Sequence, residues 1–414
     1  MGNAMHVVVT GLGTLTPVGK DVTTSWENLK AGHSGIGRIS LFDPSNLATQ
    51  IAGEVKAFDP KQHFDVKDAR RLERFVQFTV VAAREAIADA NLKIDEHNNE
   101  NIAVVVGSGV GGAMAVSEQA KILETRGARR VSPFFIPMIL IDTAAGQVAI
   151  EFGIKGPNMA VVSACATGAN AIGEAAEMIR RGDVDVVICG GTEACLAPLA
   201  VAGFNAMGAI STHNDEPTKA CRPFDAMRSG FVLAEGAGVL VLESAEHAHA
   251  RGAKVYGEIV GYGTSADAHH VAAPDAEGEG IRRAMQWALK RAGLAPTQVD
   301  YINAHGTGTR LNDAIETNAI KQVFGESAYS IPVSSTKSMI GHALGGAGAI
   351  ESIICLKAMQ EGILPPTINY STPDPACDLD YVPNTARAKS IDVAMSNSIG
   401  LGGHNASVIF KTCS

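Results

Sequence analysis

Cys165 has the sequence neighbours expected of a nucleophile. It follows an apolar, β-branched run at residues 159–163 and precedes an alanine-rich stretch with helical periodicity from Gly168 onward. A strand-to-helix turn of this kind places a thiol at a helix N-terminus, where the helix dipole and the unpaired backbone N–H groups favour the thiolate. Free cysteines are also among the most commonly buried residues, so the position alone fits a core residue as well.

Two histidines lie in glycine-rich loops far downstream. His305 is in the segment Ala-His-Gly-Thr-Gly-Thr (304–309), and His342 ends the segment Lys-Ser-Met-Ile-Gly-His (337–342). Each loop follows a predicted strand, and open α/β sheets bind their ligands just beyond the carboxyl ends of strands. One thiol and two imidazoles placed in this way indicate acyl chemistry on a thioester.

The glycine-rich loops have a second interpretation, as cradles for a phosphate. The loop at 341–346 does not follow the order of glycines and lysine that a P-loop requires. The loop at 107–112 lacks the acidic residue about 20 positions on that a dinucleotide site requires, and Gly127 stands there instead. An acyl-transfer pocket is therefore favoured over a nucleotide site.

Composition narrows the class of protein. At 414 residues with 46% hydrophobic content, the chain exceeds the size at which one core usually stops growing, so we expect two domains or a duplicated one. A net charge of −9 argues against nucleic acid as a partner. Seven cysteines without zinc-like spacing favour a reducing, cytoplasmic compartment. Neither export nor membrane insertion is expected, because no signal-like segment and no apolar run approaching about 18 residues occurs.

Short β-branched runs alternate with helical stretches along the whole chain. The predicted strands are 7–10, 102–106, 159–163, 184–189, 259–262, 301–304, 332–335, 393–396 and 407–410. The predicted helices are 70–91, 142–152, 168–181, 278–292, 313–324 and 347–361. This alternation predicts βαβ units around a mostly parallel sheet. The order of elements repeats, so we expect two similar halves, at residues 1–255 and 256–414, that bring Cys165 and both histidines to a common midline.

A set of motifs in fixed order connects these residues to a known family. They are Ala164-Cys165, Gly-Gly-Thr-Glu (190–193), Arg-Pro-Phe-Asp (222–225), Gly-Phe-Val (230–232), His-Gly-Thr-Gly-Thr (305–309), Lys-Ser-Met-Ile-Gly-His (337–342), Pro-Pro-Thr (365–367) and Asn-Ser-Ile-Gly-Leu-Gly-Gly (397–403). From about residue 5 to 411 the chain resembles the β-ketoacyl-[acyl-carrier-protein] synthases of the thiolase superfamily, most closely the type II elongating members.

The resemblance implies a fold and a reaction. The fold is α/β and thiolase-like, with duplicated βαβαβαββ halves in a five-layer α-β-α-β-α arrangement. The reaction is a decarboxylative Claisen condensation of malonyl-[acyl carrier protein] with an acyl-enzyme thioester. Cys165 would carry the acyl group, with an oxyanion hole formed by the backbone N–H groups of Cys165 and Leu401. His305 and His342, as neutral donors, would stabilise the enolate, and Lys337 would orient the His342 loop with Glu316 as its candidate partner.

The resemblance also implies how substrate is held. Thr307 and Thr309 match hydroxyls that bind the pantetheine amides. Leu401, in a place where relatives usually carry an aromatic gate, would set the depth of the acyl pocket together with Val110 and Phe204.

Further implied features concern partners and ions. Lys67, Arg70 and Arg71 match a dock for the acyl carrier protein, which delivers both the acyl and the malonyl group. A homodimer is implied, formed by pairing of the strand at 159–163 with its twofold copy. Asn303, Glu351, Ser396 and Asn397 match a structural monovalent cation site, and no other cofactor is expected.

Other functions remain open. A free-standing polyketide-type ketosynthase would share Cys165 and both histidines. A non-catalytic partner of the chain-length-factor kind usually lacks the active cysteine. A thiolase is disfavoured because Cys377 is followed by Asp378 and does not form the Cys-x-Gly that a thiolase needs.

Overall fold

The computed structural model describes residues 5–413 of the chain. Its strands are β1 (Val7–Leu15), β2 (Ile36–Arg38), β3 (Ile51–Gly53), β4 (Ile102–Ser108), β5 (Asn158–Met159), β6 (Val186–Glu193), β7 (Gly236–Ser244), β8 (Gly257–Ala266), β9 (Tyr301–Asn303), β10 (Val333–Ser334), β11 (Ile363–Leu364), β12 (Arg387–Ala388), β13 (Val393–Gly400) and β14 (His404–Lys411). Its α-helices are α1 (Val22–Lys30), α2 (Asp68–Arg71), α3 (Arg74–Asp89), α4 (Ala113–Arg126), α5 (Phe135–Ile139), α6 (Thr143–Phe152), α7 (Thr167–Arg180), α8 (Pro198–Ala206), α9 (Ala245–Ala250), α10 (Glu279–Ala292), α11 (Arg310–Phe324), α12 (Lys337–Ile340) and α13 (Ala347–Glu361).

The strand order shows the duplication. One half is ordered β5-β4-β6-β7-β1 and the other β10-β9-β13-β14-β8. In each half the first three strands are parallel and the last three are antiparallel to their neighbours. Along the chain each half follows the order β-α-β-α-β-α-β-β, with α3, α6 and α7 in the first and α10, α11 and α13 in the second. The predicted duplication of a βαβαβαββ unit is confirmed.

The helices complete five layers. Helices α7 and α13 contact each other and both halves of the sheet, so they form the central layer. Helix α3 packs on β1 and β7 with α6 beside it, and α10 packs on β8 and β14 with α11 beside it, which gives the two outer layers. Helix α13 is buried on nearly all sides, as expected for an apolar helix enclosed between two sheets. The predicted α-β-α-β-α arrangement is therefore confirmed.

The two halves of the sheet meet along a short seam. Strands β1 and β8 pair only at Val8 with Glu258 and at Val9 with Gly257. Beyond the seam, the edge of β1 is covered by carboxylates of α3, because Leu12 N–H donates to Asp89 at 2.9 Å and Thr14 N–H to Glu85 at 2.8 Å. These contacts satisfy backbone donors that the diverging strand would otherwise leave unpaired.

Most predicted elements are found near their predicted bounds, and three predictions need correction. The sheet is not mostly parallel, because five of the nine strand pairings in the ten-stranded sheet are antiparallel. The strand expected at 159–163 is reduced to Asn158–Met159, because the chain turns away from β4 after two paired residues. Ser163 N–H then donates to the Thr167 hydroxyl at 2.9 Å in place of a strand partner. The long strand Gly236–Ser244 was absent from the prediction. Within residues 5–413, no helix is long and apolar enough to cross a membrane.

Candidate active site

Cys165 lies in a tight turn at the entrance of the central helix α7. The turn Ala164–Ala166 is a single 3-10 turn, and Ala164 takes a left-handed conformation with φ of 52°. Asn170 on the first turn of α7 donates to the Ser163 hydroxyl at 2.6 Å. These contacts fix the thiol at the start of the helix, as the sequence predicted.

The loop after β9 carries His305. Glu316 of helix α11 accepts hydrogen bonds from the backbone N–H groups of His305 and Gly306, each at 2.8 Å. The Glu316 carboxylate is fully buried, and burial raises its pKa to about 7 while these N–H groups oppose the shift. Glu316 therefore holds the His305 backbone in place.

His342 follows the short helix α12. Its backbone N–H donates to the Val232 carbonyl at 2.7 Å, and its carbonyl accepts from Ala234 N–H at 3.0 Å. The Phe231 ring stands edge-on to the imidazole, with centroids 5.3 Å apart. The Gly-Phe-Val segment at 230–232 thus supports this histidine, a role that the sequence did not reveal.

The three side chains converge at one end of a cavity. A ligand atom from each of Cys165, His305 and His342 lies within 4.8 Å of the others, and the two imidazole centroids are 5.1 Å apart at 83°. The cavity has a volume of about 680 Å³ and opens to solvent. The thiol comes from the first half of the chain and both imidazoles from the second, as the predicted midline requires.

The protonation of Cys165 differs from the sequence expectation. Burial raises the pKa of the thiol to about 11, whereas the backbone N–H groups of Leu401 and Cys165 and the charge of Lys337 act to lower it. Loss of hydration on burial thus opposes the thiolate that the helix terminus was expected to favour. The same two N–H groups lie beside the sulfur, where an oxyanion hole was predicted.

Both imidazoles are neutral. Burial lowers the pKa of His305 and of His342 well below the usual value, and the charge of Lys337 adds to the effect in each case. The Nδ1 atom of each ring is buried without a hydrogen-bond partner. Neutral rings can donate an N–H to a developing enolate oxygen without carrying a charge of their own.

The expected partner of Lys337 is wrong. The Lys337 ammonium, fully buried at the start of α12, forms an ion pair with Glu351 of α13. Glu316 instead binds the backbone of the His305 loop. Burial raises the pKa of Glu351 to about 7, and Lys337 opposes this shift.

Three of the residues matched to a cation site have unsatisfied oxygen atoms. Asn303 Oδ1, Glu351 Oε2 and Ser396 Oγ are buried and have no hydrogen-bond partner among the described residues. The fourth residue, Asn397, uses its Oδ1 to accept from the Ser407 hydroxyl at 2.7 Å. Unpaired buried oxygens from neighbouring residues fit the donor set of a hard cation.

Four of the five residues predicted to bind substrate line the cavity. Thr307, Thr309, Phe204 and Leu401 line the cavity, and the two threonine hydroxyls are 3.1 Å apart. Val110 lies outside the lining of this cavity; its backbone N–H donates to Glu193 at 3.3 Å and the residue is 41% exposed.

A hairpin turn brings Leu401 to the cysteine. Leu401 is the first residue of the turn between β13 and β14. The preceding Gly400 passes so close that a Cβ there would lie 2.7 Å from the Ser163 carbonyl oxygen. The close approach of this turn to residues 163–165 therefore requires a glycine at position 400.

The three basic residues matched to a carrier-protein dock lie at the surface. Lys67, Arg70 and Arg71 are exposed in and beside α2, and Arg71 stacks over Phe134 at 4.7 Å. The adjacent Arg74 instead turns inward and pairs with the buried Glu235 at 2.6 Å.

The second half contains a counterpart of the cysteine turn. The 3-10 turn Leu344–Gly346 precedes α13, and Leu344 has a left-handed φ of 39°. Gly345 holds the place that Cys165 holds in the first half, and its N–H donates to Glu193 at 3.1 Å. Glu193 is buried and also accepts from the Ser108 hydroxyl at 2.7 Å and from Gly109 N–H at 2.8 Å.

Family models match both halves. The model "Beta-ketoacyl synthase, N-terminal domain" matches residues 4–248, and "Beta-ketoacyl synthase, C-terminal domain" matches residues 256–371. The chain is 53% identical to the 3-oxoacyl-[acyl-carrier-protein] synthase 2 of Staphylococcus aureus over 411 residues, 99% of each chain. It is 52% identical to the Synechocystis protein of the same name over 406 residues, 98% of each chain.

Solved structures with the same fold include ketosynthases of two kinds. A β-ketoacyl synthase from Burkholderia phymatum has a TM-score of 0.91 at 37% identity. The match covers 99% of this chain and 100% of the Burkholderia chain. A type II polyketide ketosynthase, determined with its acyl-carrier protein and bound to a hexaketide, has a TM-score of 0.92 at 35% identity, with full coverage of both chains.

Proposed function

Because the chain belongs to the β-ketoacyl synthase family, we propose that Cys165, His305 and His342 are the residues that carry its reaction. The protein is a condensing acyltransferase of fatty acid synthesis. It elongates an acyl chain by condensation with malonyl-[acyl carrier protein]. The observation that carries the residue assignment is the meeting of one thiol and two neutral imidazoles within 4.8 Å at the end of a cavity.

In the first half-reaction, the Cys165 sulfur attacks the carbonyl carbon of an acyl thioester on the carrier protein. The new bond is Cys165 S–C(=O), the bond from that carbon to the pantetheine sulfur breaks, and the cysteine proton leaves with the pantetheine as its thiol. The carbonyl oxygen becomes negative in the transition state. The backbone N–H groups of Cys165 and Leu401, which already lie beside the sulfur, receive that charge.

In the second half-reaction, malonyl-[acyl carrier protein] loses CO₂, and the electrons of the broken C–C bond form an enolate. His305 and His342 donate to the enolate oxygen as neutral imidazoles. The enolate carbon then attacks the acyl carbonyl, and the Cys165 S–C bond breaks with its electron pair remaining on sulfur. The β-ketoacyl product leaves, and the Cys165 thiolate takes up a proton from solvent to restore the thiol. Lys337 and Glu351 do not enter this sequence, and we assign to the pair the positioning of α12 and the His342 loop that follows it.

Acylation is expected at Cys165 alone. Incubation with a long-chain acyl carrier protein should add one acyl group per chain, and peptide mapping by mass spectrometry should place it on Cys165. Cys189 and Cys195 are also buried, and burial raises the pKa of each thiol. Unlike Cys165, neither of them lines the cavity. A Cys189→Ser variant is the matched control and should be acylated normally. An adduct that persists in Cys165→Ser would contradict the assignment.

Fatty acid elongation is favoured over polyketide synthesis by the degree of similarity. Relatives named for fatty acid synthesis are 53% identical, whereas the polyketide ketosynthase is 35% identical although its fold matches equally well. The presence of Cys165 argues against a non-catalytic chain-length-factor role.

The acyl chain binds in the part of the cavity lined by Phe204 and Leu401, and the hydroxyls of Thr307 and Thr309 bind the pantetheine amides. Each methylene buried there contributes about 0.8 kcal/mol. Leu401→Phe should slow acylation by long chains more than by short ones, because the added ring must move before a long chain enters. Steady-state kinetics with a series of saturated acyl carrier proteins measures this. Equal slowing at every chain length would show that residue 401 does not gate the pocket.

The carrier protein is the partner that delivers both substrates. Lys67, Arg70 and Arg71 are proposed as its dock, because exposed cations attract an acidic partner to a chain of net charge −9.

A cytoplasmic location is proposed as well. Free thiols at all seven cysteines fit that location.

A homodimer is proposed through the edge strand β5. This strand has a neighbour on only one side, and it and the segment after it expose apolar residues, with Met159 43% and Val162 52% exposed. Pairing of two such edges would satisfy the unpaired backbone groups and cover the apolar surface.

Light scattering should give twice the chain mass of 43.0 kDa at micromolar concentration. Val162→Glu should shift the mass toward the monomer, because a charge would be buried at the interface. Trp287→Glu, at an equally exposed site on the outer helix α10, is the control and should remain dimeric. A monomeric wild-type chain would overturn the dimer.

A structural monovalent cation is proposed beside Lys337. Asn303, Glu351 and Ser396 supply its oxygens, and the Lys337 ammonium already balances the one formal charge, which favours a monovalent over a divalent ion. Replacing Na⁺ or K⁺ in the buffer with choline should lower the melting temperature of the wild-type protein. The melting temperature of the Asn303→Ala variant, which lacks one of the proposed ligands, should not change. An equal response of both proteins would contradict the site.

A further inference from the structure

We propose that Cys165, His305 and His342 also form an inhibitory binding site for a soft divalent transition-metal ion such as Zn²⁺. The site is available whenever Cys165 carries no acyl group. A thiolate and two imidazoles are a ligand set that zinc prefers, with a fourth position left for water. The inference shares its residues with the proposed function, but chelation itself requires only the thiol and the two rings.

The geometry is close to that of a three-ligand zinc site. The three ligand atoms lie within 4.8 Å of one another. Zinc bonds of about 2.3 Å to sulfur and about 2.0–2.1 Å to nitrogen place tetrahedral ligands about 3.3–3.6 Å apart. Side-chain rotations that shorten these separations by about an ångström would close the site. The cavity provides an entry path and room for the fourth ligand.

The ligand chemistry fixes the proton balance. Zinc binds histidine as the neutral imidazole and cysteine as the thiolate. For a cysteine that starts as the thiol, binding is the exchange Cys–SH + Zn²⁺ → Cys–S–Zn⁺ + H⁺, with the proton released to solvent and no change of oxidation state. Apparent affinity should therefore rise with pH.

The surroundings predict reversible binding. Neither Nδ1 atom has a hydrogen-bond partner, whereas histidines in resident zinc sites usually donate their second nitrogen to a carboxylate or carbonyl. The Lys337 charge opposes a cation, although Glu351 neutralises it, and the buried carboxylates of Glu193 and Glu316 favour one. A site without outer-shell support fits an inhibitor that a chelator removes.

The consequence is competition for one sulfur. A metal-bound Cys165 thiolate cannot attack a thioester, and an acylated Cys165 cannot bind the metal. Zinc should thus protect the thiol from alkylation by iodoacetamide, and prior acylation should prevent zinc binding.

Zinc affinity can be measured by competition with a chromophoric chelator on the purified full-length protein. Wild type should bind one Zn²⁺ per chain that is lost on alkylation of Cys165. Cys165→Ser and His342→Ala should bind at least about a hundredfold more weakly, since even the loss of an outer-shell partner costs 10–100-fold. Cd²⁺ should add a thiolate-to-metal absorption band in wild type and not in Cys165→Ser.

The matched control is Cys413→Ser, which removes the exposed thiol and should bind Zn²⁺ like wild type. Equal affinity in wild type and Cys165→Ser would overturn the site and assign the metal to surface histidines. Acyl transfer measured in excess chelator tests the proposed function separately, so failure of either inference can be recognised by itself.

Discussion

The Cys165→Ala variant should lose condensation and still release CO₂ from malonyl-[acyl carrier protein]. We propose that the Cys165 thiol forms the acyl-enzyme, and it is the only thiol among the described residues that line the cavity. We expect the condensation rate to fall by at least about 10⁴-fold, in line with the loss of a nucleophile in other acyl-transfer enzymes. Decarboxylation needs the two imidazoles and the cavity, and these remain in the variant.

The two activities can be measured on the same protein sample. Product formation is followed by mass spectrometry of the carrier protein, and CO₂ release by a radiolabelled malonyl group. Cys413→Ala, at an exposed thiol, is the control and should keep both activities. If Cys165→Ala retained condensation, the assignment of the nucleophile would be wrong.

The His342→Ala variant should show the opposite separation. Loss of one donor to a developing oxyanion typically slows a reaction by about 10²–10³-fold. We therefore expect CO₂ release to fall by that factor, while Cys165 still accepts an acyl group from its carrier protein. His305→Ala should behave in the same way, because both imidazole rings are proposed to donate to the same enolate oxygen.

A surface histidine provides the control for this experiment. His249 is on the short helix α9, and His249→Ala should leave both half-reactions unchanged. Undiminished CO₂ release in both His305→Ala and His342→Ala would refute the role of the imidazoles. Melting temperatures of all variants separate a catalytic loss from a folding defect.

The meeting of Cys165, His305 and His342 could be predicted because the signals for the three residues are local. Cys165 stands at a strand-to-helix turn, and His305 and His342 stand in glycine-rich loops after strands, so short segments sufficed. The same periodicity placed α7, α10 and α13 within one residue of their observed bounds.

The errors arose where a property depends on distant parts of the chain. Glu316 and Glu351 are both acids on helices near the site, and only the tertiary fold decides which one pairs with Lys337. The sequence places Cys165 at a helix terminus, but it does not reveal the burial that raises the pKa of the thiol. Val110 follows β4 in sequence, yet only the fold shows that its backbone N–H donates to Glu193 of β6.

The turn at Gly345 explains why a duplicated protein has a single reactive centre. A Cβ at Gly345 would lie 2.3 Å from Gly109 N, so no side chain, and hence no second nucleophile, can occupy that turn. Its N–H instead donates to the buried carboxylate of Glu193, whereas the corresponding N–H of Cys165 lies beside the thiol. The repeat is thus kept in the backbone of the two turns, while only one of them carries a reactive side chain.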